Sequence, residues 1–297
     1  MQVLNESNAM SYSKYVFSGH ESFPCKTLWL KKGYDFVAQG KDFNSPEAVI
    51  DLGVGKNMVS SIRYWLRVFG IIESNQLTTL GNYLFNENDG KDKYMEDLAT
   101  LWLLHFHLVF NQEATLYNMF FCDFQKSHTR FEREKVVGFV KLKMIEANKS
   151  NLFNQNTVEK DVAVLLQNYA LPRKIQSNDD FSSLLLDLDL VRQASEGKDY
   201  YFNVEGKRNV TKEIFLYGLL KLREHEGDKS ISYDIIQNRV GLVFCMQDGE
   251  TIEMLKLLAK DYSDYLSFID DAGIRMVQFT QDLDKDMVLN DYYNAHV

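Results

Sequence analysis

His20 and Glu21 stand side by side in Phe17-Ser18-Gly19-His20-Glu21-Ser22-Phe23-Pro24, an imidazole next to a carboxylate in a stretch bounded by glycine and proline. Such a pair could place a general base near a scissile phosphate, with Lys31 and Lys32, a few residues on, as basic anchors. The same polar groups could instead cap the helix that follows, whose first N–H groups need acceptors, and capping is the plainer role. A second set lies further along. Between Gly55 and Phe69 the apolar residues Met58, Val59, Ile62, Trp65, Leu66 and Phe69 recur at helical spacing. The residues outside that stripe are Lys56, Asn57, Ser60, Ser61, Arg63, Tyr64 and Arg67, with three positive charges and no acid. That face suits DNA: the helix N-terminus and Lys56 would meet phosphate, and Asn57, Ser60, Ser61 and Arg63 would meet base edges in a major groove. The plainer alternative is a solvated face on a fold used for protein contacts.

Other candidate chemistries find less support. His105 and His107 are two apart on an expected helix, so they point roughly 200° apart and cannot share a metal; core or interface histidines are the expectation. Lys126, Arg130, Arg133, Lys135, Lys141 and Lys143 form a basic run diluted by Glu132 and Glu134, which reads as a solvated helix face before a backbone-tracking one. Asp199 with Glu205-Gly206-Lys207 has the residue types of a nuclease acid…acid-x-lysine pattern, but the spacing is short and the tripeptide falls at an expected turn. No P-loop, dinucleotide fingerprint or nucleophile elbow occurs. Cys25, Cys122 and Cys245 are too far apart to form a zinc motif and read as buried thiols.

The elements that must position these residues follow from the breaks. Ser45 as N-cap and Pro46 at the first helical position open a short helix over Ala48, Val49 and Leu52, and Gly53-Val54-Gly55 ends it. The Met58–Phe69 helix comes next and Gly70 closes it; Ile71-Ile72 and Leu77-Thr78 then flank the polar turn Glu73-Ser74-Asn75-Gln76. A helix, a glycine turn, a longer helix and a small ribbon are the parts of a winged helix-turn-helix. Helices are expected over Tyr94–Phe110, Glu113–Cys122 and His128–Asn148, and a second winged unit over 158–202, its short apolar helix at Phe181–Leu190. Helices over 211–225, 231–238 and 250–260 precede a hairpin of 265–269 with 274–279. The expected fold is mainly α, with winged helix-turn-helix units and small β-hairpins around a helical middle segment. Its regions would be 1–88, 89–150 and 151–297, the last acidic.

The charge is unevenly spread. Of 33 Lys and Arg and 42 Asp and Glu, residues 1–150 carry 17 of each, so the whole net charge of −9 resides in residues 151–297. Nucleic-acid contacts are therefore expected in the first half and a protein partner on the acidic second half, where Asp248, Glu250, Glu253, Asp261, Asp264, Asp270 and Asp271 crowd together. No apolar run approaches the ~20 residues of a membrane span, and Met1–Ser13 lacks the order of a signal peptide. No membrane partner and a cytoplasmic location are expected.

The same stretches resemble a bacterial family. Phe17–Pro24 with Trp29-Leu-Lys-Lys-Gly33, Leu52-Gly-Val-Gly-Lys-Asn-Met58 with Ile62-Arg-Tyr-Trp65, Leu80-Gly81 and Thr100-Leu-Trp-Leu-Leu-His105 are similar to domain-of-unknown-function family 4007, more weakly through Phe181–Val191 and Asp271–Arg275. Members of that family occur in phage-defence and DNA-modification gene clusters, and one type, SspB, serves single-stranded DNA phosphorothioation as a nicking component. The resemblance implies DNA binding and strand nicking with a divalent cation such as Mg2+. The implied partners are a cysteine desulfurase and an ATP-dependent sulfur transferase, which replace a non-bridging phosphate oxygen. It supplies no catalytic residue set, so His20 and Glu21 stand on their chemistry alone. The rival reading is a non-catalytic DNA-binding adaptor or regulator that recruits the same enzymes.

Overall fold

In a computed structural model that describes residues 15–174, 181–207 and 209–296, the chain is mainly helical, and its strands form only small antiparallel sheets. The Met1–Ser13 segment read above lies outside the described residues. After α1 (Trp29–Ala38), α2 (Ala48–Leu52) ends at Gly53, whose φ of +59° lets the chain turn left-handed and start α3 (Lys56–Val68). Strands β1 (Ile72–Glu73) and β2 (Gln76–Leu77) follow in the register Ile72↔Leu77 and Glu73↔Gln76. Ser74 and Asn75 both take positive φ, as a two-residue hairpin turn requires.

Two local differences from the sequence reading arise here. Helix α2 begins at Ala48, because the Ser45 hydroxyl accepts the Glu47 N–H and holds Ser45-Pro46 in the preceding turn. Helix α4 (Thr79–Phe85), unanticipated, is capped by the Thr78 hydroxyl.

Helix α5 (Leu98–Phe110) is buried nearly all round, as its apolar composition implies. Helix α6 (Thr115–Asn118) runs on into a wider turn, Met119–Asp123. The expected helix from His128 is broken, because Arg130–Phe131 form β3, and α7 (Arg133–Glu146) starts only afterwards. β3 pairs with β5 (Tyr200–Phe202), which also pairs with β4 (Val191–Gln193); α8 (Gln155–Tyr169) packs on α7. Phe181–Leu190 holds a tight turn at Leu186–Leu188 and no α-helix. Its backbone bonds go elsewhere: Ser182 O accepts the Thr27 N–H, and Leu184 N–H donates to Cys25 O.

Helix α9 (Lys212–Glu226) precedes β6 (Ser230–Ser232), which takes the start of the expected 231–238 helix; α10 (Tyr233–Ile236) carries the rest. Then come α11 (Asp248–Asp261), the hairpin β7 (Leu266–Asp271) and β8 (Ile274–Phe279), and α12 (Lys285–His296), which packs on α9. The buried apolar residues form one cluster from Cys25 to Tyr293. The three cysteines are free and buried, and burial pushes the Cys122 and Cys245 thiols up to about 12. Among the described residues no helix is long and apolar enough to cross a membrane.

Candidate nucleic-acid interface

Helix α3 is covered on two sides, which narrows the face that sequence spacing assigned to solvent. Helix α1 packs on one side, with Ile62 and Leu66 against Gly33. On the other, the Ser18–Ser22 loop lies over Tyr64, and a Cβ on Gly19 would fall 2.6 Å from the Tyr64 ring. Ser61 and Tyr64, expected to face DNA, are therefore buried. What remains outside is a single ridge of Lys56, Ser60, Arg63 and Arg67, with Asn57 beside it. Offsets of 0, 4, 7 and 11 keep these four in line over about 16 Å of helix.

Positive charge on the ridge is largely uncancelled. Arg63 is held by two neutral acceptors, Asn75 Oδ1 from the β1–β2 turn and Asn44 Oδ1, each at 3.0 Å. Arg67 lies 3.9 Å from Glu113 and over the Tyr64 ring. Lys56 sits in the first turn of α3, where the N-cap is Gly55, which has no side chain to bond the first N–H groups. Beside the ridge runs a groove of about 640 Å³ lined by Gly19, Ser60, Arg63, Arg67, Ser74 and Asn75 among others. Sequence reasoning missed Asn44 and Asn75. Asn75 carries a signal in retrospect, since Ser-Asn between two apolar pairs favours a positive-φ turn.

His20 is buried, and both ring nitrogens are engaged. Nδ1 accepts the Ser22 N–H at 3.1 Å, which leaves the ring proton on Nε2, 2.9 Å from Asp161 Oδ1 on α8. The other Asp161 oxygen accepts the Ser18 N–H at 2.8 Å. The loop needs this grip. Ser18, Glu21 and Ser22 all have positive φ, which is costly for residues with a side chain. Trp65 adds a bond from its indole N–H to Phe23 O. Glu21 is exposed and makes no side-chain bond to His20. Lys32 is exposed, but Lys31 is buried with its ammonium on Asp35 and Glu87, so it is not available as a phosphate anchor.

The remaining candidates are mostly occupied. Within the second basic run, Lys126, Arg130 and Lys143 pair with Asp123, Asp199 and Glu146, and Arg133 donates to the Tyr200 hydroxyl. His105 bridges α5 to Tyr169 and to Val243 O, and His107 bonds the Tyr217 hydroxyl, so the two rings serve opposite sides of α5. Burial pulls their pKa values down to about 4 and about 3. In the acidic cluster, Glu250 closes the N-terminus of α11, Asp248 accepts from Tyr233, and Glu253, Asp261 and Asp270 pair with Lys256, Lys212 and Arg275. Among the described residues no three His, Cys, Asp or Glu side chains are grouped as they would be to hold a metal ion.

The family described as a protein of unknown function, DUF4007, matches residues 17–293. The chain belongs to this family. Its fold is that of two crystal structures of SspB, one of them magnesium ion-bound. Each matches with a TM-score of 0.80 at 24% sequence identity, over 95% of this chain and 88% of the other. No curated protein matches the sequence. The Phe17–Pro24 segment lies at the very start of the family match, and it is the segment that Asp161 of α8 and Trp65 of α3 hold in place.

Proposed function

We propose that the chain is the DNA-binding component of a bacterial DNA phosphorothioation system, and that it presents bound duplex to partner enzymes. The observation that carries the DNA reading is the α3 ridge, where Lys56 and Arg63 face outward without a carboxylate partner among the described residues, on a chain of net charge −9. In this reading α2, the Gly53 turn, α3 and the β1–β2 hairpin act as a winged helix-turn-helix. The ridge enters the major groove, Lys56 and the open α3 N-terminus meet phosphate, and Asn57, Ser60 and Arg63 meet base edges. The likeness in fold to SspB supports the phosphorothioation setting. The expected partners are a cysteine desulfurase and an ATP-dependent sulfur transferase.

Binding of labelled duplex across a salt series tests this. Replacing Lys56, Arg63 and Arg67 together by Ala should flatten log affinity against log salt by about 1.8, at roughly 0.9 for each of the two phosphate contacts, those of Lys56 and Arg67. A folded triple variant with unchanged affinity and slope would show that α3 faces something else.

Strand nicking is a second reading, favoured by the magnesium ion-bound state of one similar SspB structure. Its candidate base, His20, has both ring nitrogens spent on Asp161 and Ser22, so an adaptor is the better fit to the geometry. Supercoiled plasmid incubated with pure protein and Mg2+, Mn2+ or EDTA reads this directly, since cation-dependent open circles would establish scission.

A further inference from the structure

Beside the α3 groove lies a larger cleft of about 780 Å³, between the β1–β2 and α4 region on one side and α9 and α12 on the other. It shares Arg67, Ile72 and Ser74 with the groove, so the two are continuous. Its volume is that of an ordinary small-molecule site. His107 lines it and is only 8% exposed. Nε2 is taken by Tyr217, while Nδ1 has no partner among the described residues. The Asn111 amide, also in the lining, likewise makes no side-chain bond among them. Gly70 keeps both within reach: a Cβ there would sit 3.2 Å from Asn111 Nδ2 and 3.5 Å from His107 Nδ1. The Tyr83 ring is fixed by its hydroxyl bond to Asn290, and Leu80 and Leu289 supply apolar wall.

Charge selects the occupant. Arg67, Lys221 and Lys285 line the cleft, but so do Glu73, Glu113 and Asp286, and Lys221 and Lys285 both pair with Glu224. A site balanced in this way suits a flat, neutral group with hydrogen-bonding edges better than a free polyanion. Burial, helped by Lys221 and Lys285, pulls the His107 pKa down to about 3, so the ring is neutral and its open nitrogen reads a base edge and not a charge. We propose that this cleft receives a nucleobase extruded from the duplex held on α3, with its phosphates left on Arg67 and its polar edge on His107 and Asn111. The inference rests on the DNA-binding reading and goes beyond it, because the ridge alone needs only an intact duplex.

The test uses the full chain and short duplexes carrying 2-aminopurine, either fully paired or opposite a mismatched base. Anisotropy reads binding, and 2-aminopurine fluorescence reads unstacking. A mismatched base is the cheapest to extrude, so the mismatched duplex should bind roughly tenfold tighter than the paired one, with a fluorescence rise on binding. Asn111→Leu, which removes the amide and fills the cleft from a half-buried position, should lose both the preference and the rise; its melting temperature checks the fold. Equal affinities without a fluorescence change in the wild-type protein overturn the inference and leave the DNA reading standing. No binding to any duplex defeats that reading itself. Displacement of the mismatched duplex by adenosine monophosphate alone would overturn the duplex as the source of the base.

Discussion

Deleting the His20 ring separates a clamp from a catalytic base. In the fold, the imidazole donates to Asp161 Oδ1 and accepts the Ser22 N–H, and Asp161 is only 5% exposed. His20→Ala therefore strands one oxygen of a buried carboxylate, at about 1–3 kcal/mol, and leaves the Ser22 N–H without its acceptor, at about 0.5–1.5 kcal/mol. It also removes the ring that stacks on Trp65. A total of roughly 3–4 kcal/mol should lower the melting temperature by about 5–6 °C in a chain of this size. The decisive measurement is the double-mutant cycle with Asp161→Ala, followed by denaturant unfolding at neutral pH. Two side chains in one buried hydrogen bond should couple by about 1–3 kcal/mol. Coupling below about 0.5 kcal/mol, the scatter of independent sites, would refute the clamp. A His20→Ala protein that melts normally but no longer nicks plasmid would refute it as well and make the ring a base.

Acid should weaken the fold through α5. His105 and His107 titrate at about 4 and about 3 in the folded chain against an ordinary 6.5, so the unfolded state takes up protons first and stability falls as pH drops below 6.5. From about pH 7.5 to pH 5.5 each ring should account for about 1.4 kcal/mol of loss, and His107→Gln should roughly halve the histidine part of the slope; unfolding curves independent of pH would contradict this. Gly19→Ala places a methyl 2.6 Å from the Tyr64 ring at a φ of +104°, so it should cost at least about 2 kcal/mol and weaken duplex binding by shifting the loop beside the groove; wild-type melting would show that the loop yields freely. For the acidic half, Glu253, Asp264 and Asp271 are exposed, and replacing all three by Lys should slow association with the sulfur-transfer enzymes and leave duplex binding intact. Unchanged association rates would make that surface a solubilising one.

Local regularities of the chain are readable from spacing alone. The α3 stripe, the left-handed glycine after α2, the Ser74-Asn75 turn, the β7–β8 hairpin and the divergent His105 and His107 each depend on residues within a turn or two of one another. The family also follows from short sequence stretches, and its match spans residues 17–293. Tertiary structure decided what those elements meet. Periodicity finds one apolar stripe on a helix but not a second cover, so Ser61 and Tyr64 pass for surface until α1 and the Ser18–Ser22 loop close over α3. The partner of His20 lies 141 residues away on α8, and nothing near His20 in sequence distinguishes a base from a clamped ring. Phe181–Leu190 has the composition of a helix, yet its backbone is paired to Cys25 and Thr27. The cleft beside Arg67 joins residues from 67 to 290, so no local pattern could reveal it. Hydrogen bonds and cover supplied by distant segments are properties of the packed chain, and they decide which of the locally possible roles a residue fills.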